Sequence, residues 1–255
     1  MRSFTAYFKK EIAESWSTYR YLILGLGFTL FGIATPILLK SLPYFLDDTI
    51  PRAAMEALTN YTPKQVVQNY MSDIYQISNL FMVFTLMNIV SAEITDNKLV
   101  FPFSKGVKIK GMVLSKFVHY TLTVVIFLQL GLLFDVYYAN LLFDGNPVSY
   151  LTILNAGFIL SLYFMFTLAL LFLISSLTLR GMVAGIGVLL FNFISPVLLM
   201  IPALKGFIPH TLVNQANMFS NMQGSLLNKS IIISSIYIIV LLWLTIWRIR
   251  KVEIV

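Results

Sequence analysis

Long apolar runs, separated by shorter polar segments, dominate the pattern of this chain. A bilayer core is spanned by roughly 17 to 25 apolar residues in a helix, and a charge placed there costs a few kcal/mol. Six runs have this length, and they cover residues 21–39, 74–92, 117–138, 151–177, 183–201 and 231–247. We therefore predict an all-α integral membrane protein with six transmembrane helices, in a single transmembrane domain over residues 1–255.

The composition supports this prediction and excludes other classes. Hydrophobic residues make up 58% of the chain and charged residues 11%, against ~45 to 50% and ~25% in soluble domains. Of the 18 Lys and Arg and the 11 Asp and Glu, only Asp135 lies inside the six runs. The first run is longer than the ~7 to 15 residues of a signal-peptide core, so we expect it to stay in the mature protein. The absence of cysteine excludes disulfides and thiolate metal sites.

The basic residues indicate an orientation. Thirteen of the 18 Lys and Arg fall in the segments 1–20, 93–116, 178–182 and 248–255, which all lie on one side of the predicted membrane. The positive-inside rule places both termini in the cytoplasm. The net charge of +7 is then explained by topology, and a nucleic-acid partner is not needed.

Two connecting regions carry patterns of their own. Residues 4–19 have an apolar stripe at helical spacing, which predicts an N-terminal amphipathic interfacial helix; the alternative is a helix packed on a soluble partner. Its members are Phe4, Phe8, Ile12, Trp16 and Tyr19. The apolar, Pro- and Gly-containing connection 202–230 predicts short re-entrant or interfacial helices before the sixth span.

A helix start is also predicted outside the second apolar run. Thr62, Pro63 and Gln65 form a capping-box pattern, with threonine at the cap, proline at the first helical position and glutamine at the third. The second membrane helix should therefore begin near Pro63, eleven residues before its apolar run.

Motifs for catalysis or cofactor binding are missing from the sequence. His119 and His210 lie on opposite sides of the predicted membrane, with no ligand cluster near them. Gly106 and Gly111 have P-loop spacing, but Met112 and Val113 follow where Lys and Ser or Thr are required. We predict no enzyme activity, no metal and no cofactor in this chain, so any ATP hydrolysis must occur in a partner. Asp135 near the outer end of the third span is expected to reach the outer interface rather than to act as an ion-coupling site.

The connection between the second and third spans resembles that of the permease subunits of type-2 ABC exporters. In that family a Glu ends the second helix, a Leu-rich stretch with Ser and Pro follows, and a Lys opens the third helix. The matching residues here are Glu93, Leu99, Pro102, Ser104 and Lys116.

The resemblance implies that residues 93–116 form a coupling segment that docks on a separate ABC ATPase. Apolar side chains would anchor it and lysines would meet acidic surface; the expected contact residues are Glu93, Leu99, Phe101, Pro102, Phe103, Ser104, Val107, Lys108, Ile109 and Lys116. A lysine-rich loop on anionic lipid is the alternative for this segment.

The resemblance also implies an assembly and a location. Two ATPase subunits with ATP and Mg, and a second permease copy or a related permease, are the expected partners in a bacterial plasma membrane. The candidate translocation path or dimer interface comprises Gly25, Gly32, Pro36, Asn88, Asn192 and Pro196; packing of helices within one subunit is the alternative for the glycines. A secondary, ion-coupled transporter and a polytopic membrane enzyme remain the alternative functions.

Overall fold

Six long, apolar helices build the protein, as the sequence predicts. The computed structural model describes residues 2–45, 60–96, 104 and 106–251. In chain order the helices are α1 (Arg2–Ser17), α2 (Arg20–Phe45), α3 (Pro63–Thr95), α4 (Ile109–Leu142), α5 (Tyr150–Thr178), α6 (Gly181–Leu198), α7 (His210–Asn217) and α8 (Gly224–Arg250). All except α1 and α7 are long and apolar enough to cross a membrane. The chain thus has the character of a multi-pass membrane protein.

Most of the helices extend beyond the apolar runs from which they are predicted. Thr62 caps α3: its Oγ1 accepts a hydrogen bond from Gln65 N at 3.4 Å, and Gln65 Oε1 accepts one from Thr62 N at 2.9 Å. The predicted start at Pro63 is therefore confirmed. The fifth predicted span corresponds to α6. This helix ends at Leu198, three residues before the end of its apolar run, and the chain then forms a short 3₁₀ segment at Pro202–Leu204.

The helices α4 and α5 form the centre of the bundle. α4 packs against α1, α2 and α3, whereas α5 packs against α6, α7 and α8, and the two central helices pack against each other. α2 and α4 approach closely at Gly32 and Gly131, where a Cβ on Gly32 would overlap the carbonyl oxygen of Gly131. The absence of side chains at this crossing lets the two backbones touch.

The first helix packs on the bundle with a face other than its apolar stripe. Tyr7, Glu11 and Ser15 are buried against the bundle. Trp16 and Tyr19 of the predicted apolar stripe are exposed, at 78% and 70%. A largely polar face thus packs against the protein and leaves aromatic side chains outside it, as a helix at a membrane interface requires. The interfacial position itself stays a prediction.

The segment before the last helix contains the short helix α7, which packs on α5. The backbone on either side of α7 is irregular, and side chains of α7 hydrogen-bond to it. Thr211 Oγ1 accepts from Gly206 N at 3.3 Å, and Gln215 Oε1 accepts from Gln223 N at 2.8 Å. Such internal hydrogen bonds are what irregular backbone needs at membrane depth. Its depth in the bilayer stays a prediction.

Candidate functional site

A cluster of charged side chains lies where α1 crosses α4 and the last turn of α3. We call it the helix-end cluster, and it consists of Lys10, Glu11, Glu14, Arg20, Glu93 and Lys116. Three carboxylates and three cations meet there, so their formal charges balance. The end of the bundle that contains it is called the α1 end below.

Lys116 is the centre of the cluster. Its Nζ lies 2.6 Å from Glu11 Oε1 and 3.0 Å from Glu93 Oε1. Lys116 is 2% exposed and Glu11 is fully buried. Removal of one member of such a buried pair leaves an uncompensated charge and costs about 3–5 kcal/mol. Lys116 therefore joins three helices through two ion pairs that neither water nor salt can easily replace.

The remaining members of the cluster are more exposed. Lys10 bonds to Glu93 Oε1 and lies 3.7 Å from Glu14 Oε2. Arg20 Nη2 lies 3.0 Å from Glu14 Oε1. Burial alone would lower the pKa of Lys10, but the charge and hydrogen bond of Glu93 outweigh it, so the pKa is raised. Burial alone would raise the pKa of Glu14, but Arg20 and the two lysines outweigh it, so that pKa is lowered.

Neutral side chains complete the hydrogen bonds of the cluster. Tyr120 Oη donates to Glu11 Oε2 at 3.0 Å, and it accepts from Arg20 Nη1 at 2.9 Å and from Ser15 Oγ at 3.2 Å. The His119 ring nitrogen Nε2 lies 3.1 Å from Ser15 Oγ. Glu11 therefore has a partner on each carboxylate oxygen, which is the condition under which a buried charge is tolerated.

The cluster does not suit a metal ion. Glu11, Glu14 and Glu93 are the described carboxylates that come close enough together to ligate one. The ammonium group of Lys116 already lies within 3.0 Å of two of them, Glu11 and Glu93, and Arg20 Nη2 lies 3.0 Å from the third, Glu14. A cation of the protein thus stands where a metal would be.

The last turn of α3 is held in place from the other side by α5. Ser91 N donates to Ser175 Oγ at 3.0 Å, and Ser175 Oγ donates to the carbonyl oxygen of Met87 at 3.1 Å. These bonds satisfy backbone groups where α3 loses its regular helical form between residues 87 and 90. Glu93 is thereby fixed between α5 and Lys116.

The predicted coupling residues fall in several environments. Glu93 and Lys116 belong to the helix-end cluster, and Val107 and Ile109 are partly buried against the hydrophobic core. Ser104 and Lys108 are exposed, and the backbone N–H of Lys108 donates to Ser3 Oγ at 3.3 Å. Four further predicted residues lie outside the described part of the chain: Leu99, Phe101, Pro102 and Phe103.

The predicted path residues near α2 and α3 mostly make contacts within the chain. Gly25 faces the ring of Phe127, Gly32 meets α4, and Pro36 is buried. Asn88 is exposed, and its side chain covers Gly181 at the start of α6.

Asn192 and Pro196 of α6 have a different setting. Asn192 lines a cavity of about 190 Å³ and Pro196 lines one of about 350 Å³. The side-chain amide of Asn192 is buried with neither polar atom hydrogen-bonded, while its backbone carbonyl accepts from Tyr75 Oη at 2.6 Å.

Sequence reasoning identified Glu93 and Lys116 but missed Glu11, Arg20 and Tyr120. One signal was present, because Tyr7, Glu11 and Ser15 repeat every four residues and so share one face of α1. Their partners on α4 lie about a hundred residues away, and no local pattern indicates them. No family model, curated protein or solved structure is significantly similar to this chain.

Proposed function

We propose that this chain is the membrane-spanning permease subunit of an ATP-driven exporter, in which residues 93–116 couple it to a separate ATPase subunit. The proposal includes two ATPase subunits that bind ATP and Mg, and a second permease copy or a related permease. It also places the protein in a bacterial plasma membrane with both termini cytoplasmic. The α1 end of the bundle is then the cytoplasmic end.

The observation that supports this proposal best is the position of Lys116 between Glu11 and Glu93. Glu93 and Lys116 stand at the two ends of the proposed coupling segment, and their side chains meet at 3.0 Å. A displacement of the segment would therefore act on the ends of α3 and α4 together. Because Glu11 Oε1 lies 2.6 Å from Lys116 Nζ, the same displacement would act on α1 as well.

A second supporting observation is the distribution of exposed charge at this end. Lys108 and Lys110 are exposed within this segment, at the start of α4. Exposed ion pairs contribute about 0 to 1 kcal/mol each, whereas burying one Phe at an interface contributes ~1.5 to 3 kcal/mol. We therefore expect apolar residues of the segment to supply most of the ATPase affinity and the lysines to add a salt-dependent part.

The test is co-purification of an ATPase with the affinity-tagged chain in mild detergent. Phe103→Asp should remove the ATPase, while Lys108→Ala should weaken its binding slightly and mainly at low salt. Glu93→Gln should keep the ATPase bound but separate ATP hydrolysis from transport, because Glu93 holds the geometry of the helix end. If the unaltered chain brings no ATPase with it, or if Phe103→Asp keeps a full complement, the proposal is wrong.

The orientation has a separate test, which uses the absence of cysteine from the chain. A single cysteine at Lys105 should be protected from an impermeant maleimide in intact cells, and cysteines at Asn60 and Asn146 should be labelled. Labelling of Lys105→Cys before lysis would reverse the proposed topology.

A further inference from the structure

The bundle contains a second buried carboxylate, Asp135, near the end opposite to the helix-end cluster. It lies in α4, seven residues before the end of that helix, which is about 10 Å at the helical rise. Asp135 is fully buried, so the expectation that it reaches the outer interface is wrong. Both of its carboxylate oxygens are buried without a hydrogen-bond partner.

The outer part of α3 covers this carboxylate. Tyr70 is fully buried and donates from Oη to the carbonyl oxygen of Phe28 in α2. This contact lies directly over Gly131, because a Cβ there would overlap both Tyr70 Oη and Phe28 O. Gly131 precedes Asp135 by one helical turn of α4. Tyr70 therefore fills the space over α4 one turn from Asp135, in the part of the bundle where Asp135 is fully buried.

A second carboxylate lies near Asp135. Asp73, one turn beyond Tyr70 in α3, is partly exposed, and its Oδ2 accepts a hydrogen bond from Thr35 Oγ1 of α2 at 2.9 Å. Thr35 lies one turn beyond Gly32, where α2 touches α4, so Asp73 and Asp135 flank the same helix contact and the charge of Asp73 acts on Asp135. The pair thus consists of one enclosed carboxyl group and one that is partly exposed.

No described cation compensates the charge of Asp135. Asp73 of α3 is the charged group that acts on it, and Asp135 in turn acts on Tyr70. From α2, the nearest basic residue along the helix is Lys40, whose Nζ lies 5.5 Å from the ring centre of Phe143, eight residues beyond Asp135. The described residues of α5 include no lysine, arginine or histidine. An ionised carboxylate without partners in such surroundings is strongly disfavoured, and it takes up a proton instead.

We propose that Asp135 is a proton-binding site, protonated at neutral pH and coupled to the charge of Asp73. The proton is the ligand, and the partly exposed Asp73 connects the site to the end of the bundle opposite α1. Two neighbouring carboxyl groups titrate as a pair, so each should alter the proton affinity of the other. This goes beyond the proposed exporter function and stands whether or not an ATPase binds the chain.

The experiment is an infrared measurement on the purified full-length protein in detergent. The C=O stretch of a protonated carboxylic acid is resolved from the bands of carboxylates. The spectrum at neutral pH should contain such a band, and Asp135→Asn should remove it because the amide has no acid proton. Asp144→Asn alters an exposed carboxyl group and serves as the matched control, and it should leave the band unchanged. Circular dichroism checks that each variant is folded.

The coupling to Asp73 gives a second readout. Asp73→Asn removes a neighbouring negative charge, so the pH at which the Asp135 band disappears should move to a lower value. The proposal is overturned if folded protein shows no Asp135-dependent band at neutral pH, or if Asp73→Asn leaves the titration where it was. Loss of the band on addition of sodium at fixed pH would also overturn it, since the ligand would then be a metal cation.

Discussion

Two carboxylates of this protein are equally buried but have opposite surroundings. Glu11 of α1 and Asp135 of α4 each have no exposed surface. Glu11 has Lys116 Nζ at 2.6 Å and Tyr120 Oη at 3.0 Å, whereas neither oxygen of Asp135 has a partner. Burial of charge is tolerated when it is paired and hydrogen-bonded, and otherwise the group becomes neutral. The comparison teaches that burial alone does not decide what a membrane carboxylate does.

The largest effect should come from removing the central cation of the helix-end cluster. Lys116→Met keeps most of the side-chain volume but leaves Glu11 without its cation and Glu93 with Lys10 alone. We expect a loss of about 3–5 kcal/mol in the free energy of unfolding, measured by thermal unfolding in detergent. Lys110→Met in the same helix is the matched control, because Lys110 is exposed. Equal unfolding temperatures for the two variants would show that the cluster contributes nothing to stability.

The next effect comes from making the same chemical change at both buried carboxylates. Glu11→Gln weakens two charge-assisted hydrogen bonds and leaves the Lys116 ammonium with only one of its two carboxylate partners. A hydrogen bond to a charged group contributes about 1.5–3 kcal/mol, so we expect a loss of at least that size. Thermal unfolding of this variant beside Asp135→Asn measures the difference directly.

How much of this could be predicted from the sequence depends on the range of each interaction. The six spans follow from apolar run length, and the start of α3 follows from residues within one turn of Thr62. The face of α1 that is buried could not be predicted, because an apolar stripe in an interfacial helix can face either lipid or protein. Glu11 and Lys116 are 105 residues apart, and only the packing of α1 on α4 brings them together.

The burial of Asp135, at the other end of the bundle, is a second feature that local sequence patterns did not predict. Its position near the end of an apolar run predicted contact with the interface. In the structure α4 continues to Leu142, and α3 begins at Pro63, well before its apolar run. The extra turns of α3 place Tyr70 over Gly131, one turn of α4 before Asp135. A hydropathy pattern gives the depth of a residue but not which neighbouring helix covers it.

A smaller effect is expected at Glu14, the partly exposed carboxylate of the cluster. Its pKa is lowered in the folded protein, so its contribution to stability is present above the unfolded-state pKa and is lost as pH falls through the folded-state value. Glu14→Gln should cost about 0 to 1 kcal/mol at neutral pH and should reduce the acid sensitivity of unfolding. Unfolding temperatures of both proteins between neutral and acidic pH check this. A difference that persists unchanged at low pH would contradict it.

The smallest effect should be at Asp135. Asparagine resembles a protonated aspartate in shape and charge, so Asp135→Asn should change the free energy of unfolding by less than about 1 kcal/mol. A loss as large as that of Glu11→Gln would mean that Asp135 is ionised and paired, and the contrast between the two carboxylates would disappear.

The central claim is that the helix-end cluster holds α1 against α4, and a disulfide tests it most directly. A Cβ at Gly111 would lie 3.1 Å from the Cβ of Ser3, a few tenths of an ångström below the roughly 3.5–4.5 Å of a disulfide, so cysteines at these two positions of the cysteine-free chain should oxidise to a cross-link after a small shift. Mass spectrometry of proteolytic fragments measures its yield. We predict a high yield of the cross-link with Lys116 present, a much lower yield after adding Lys116→Met, and no change after adding Lys110→Met. An equal yield with and without Lys116 would show that the ion pairs do not hold α1 in place.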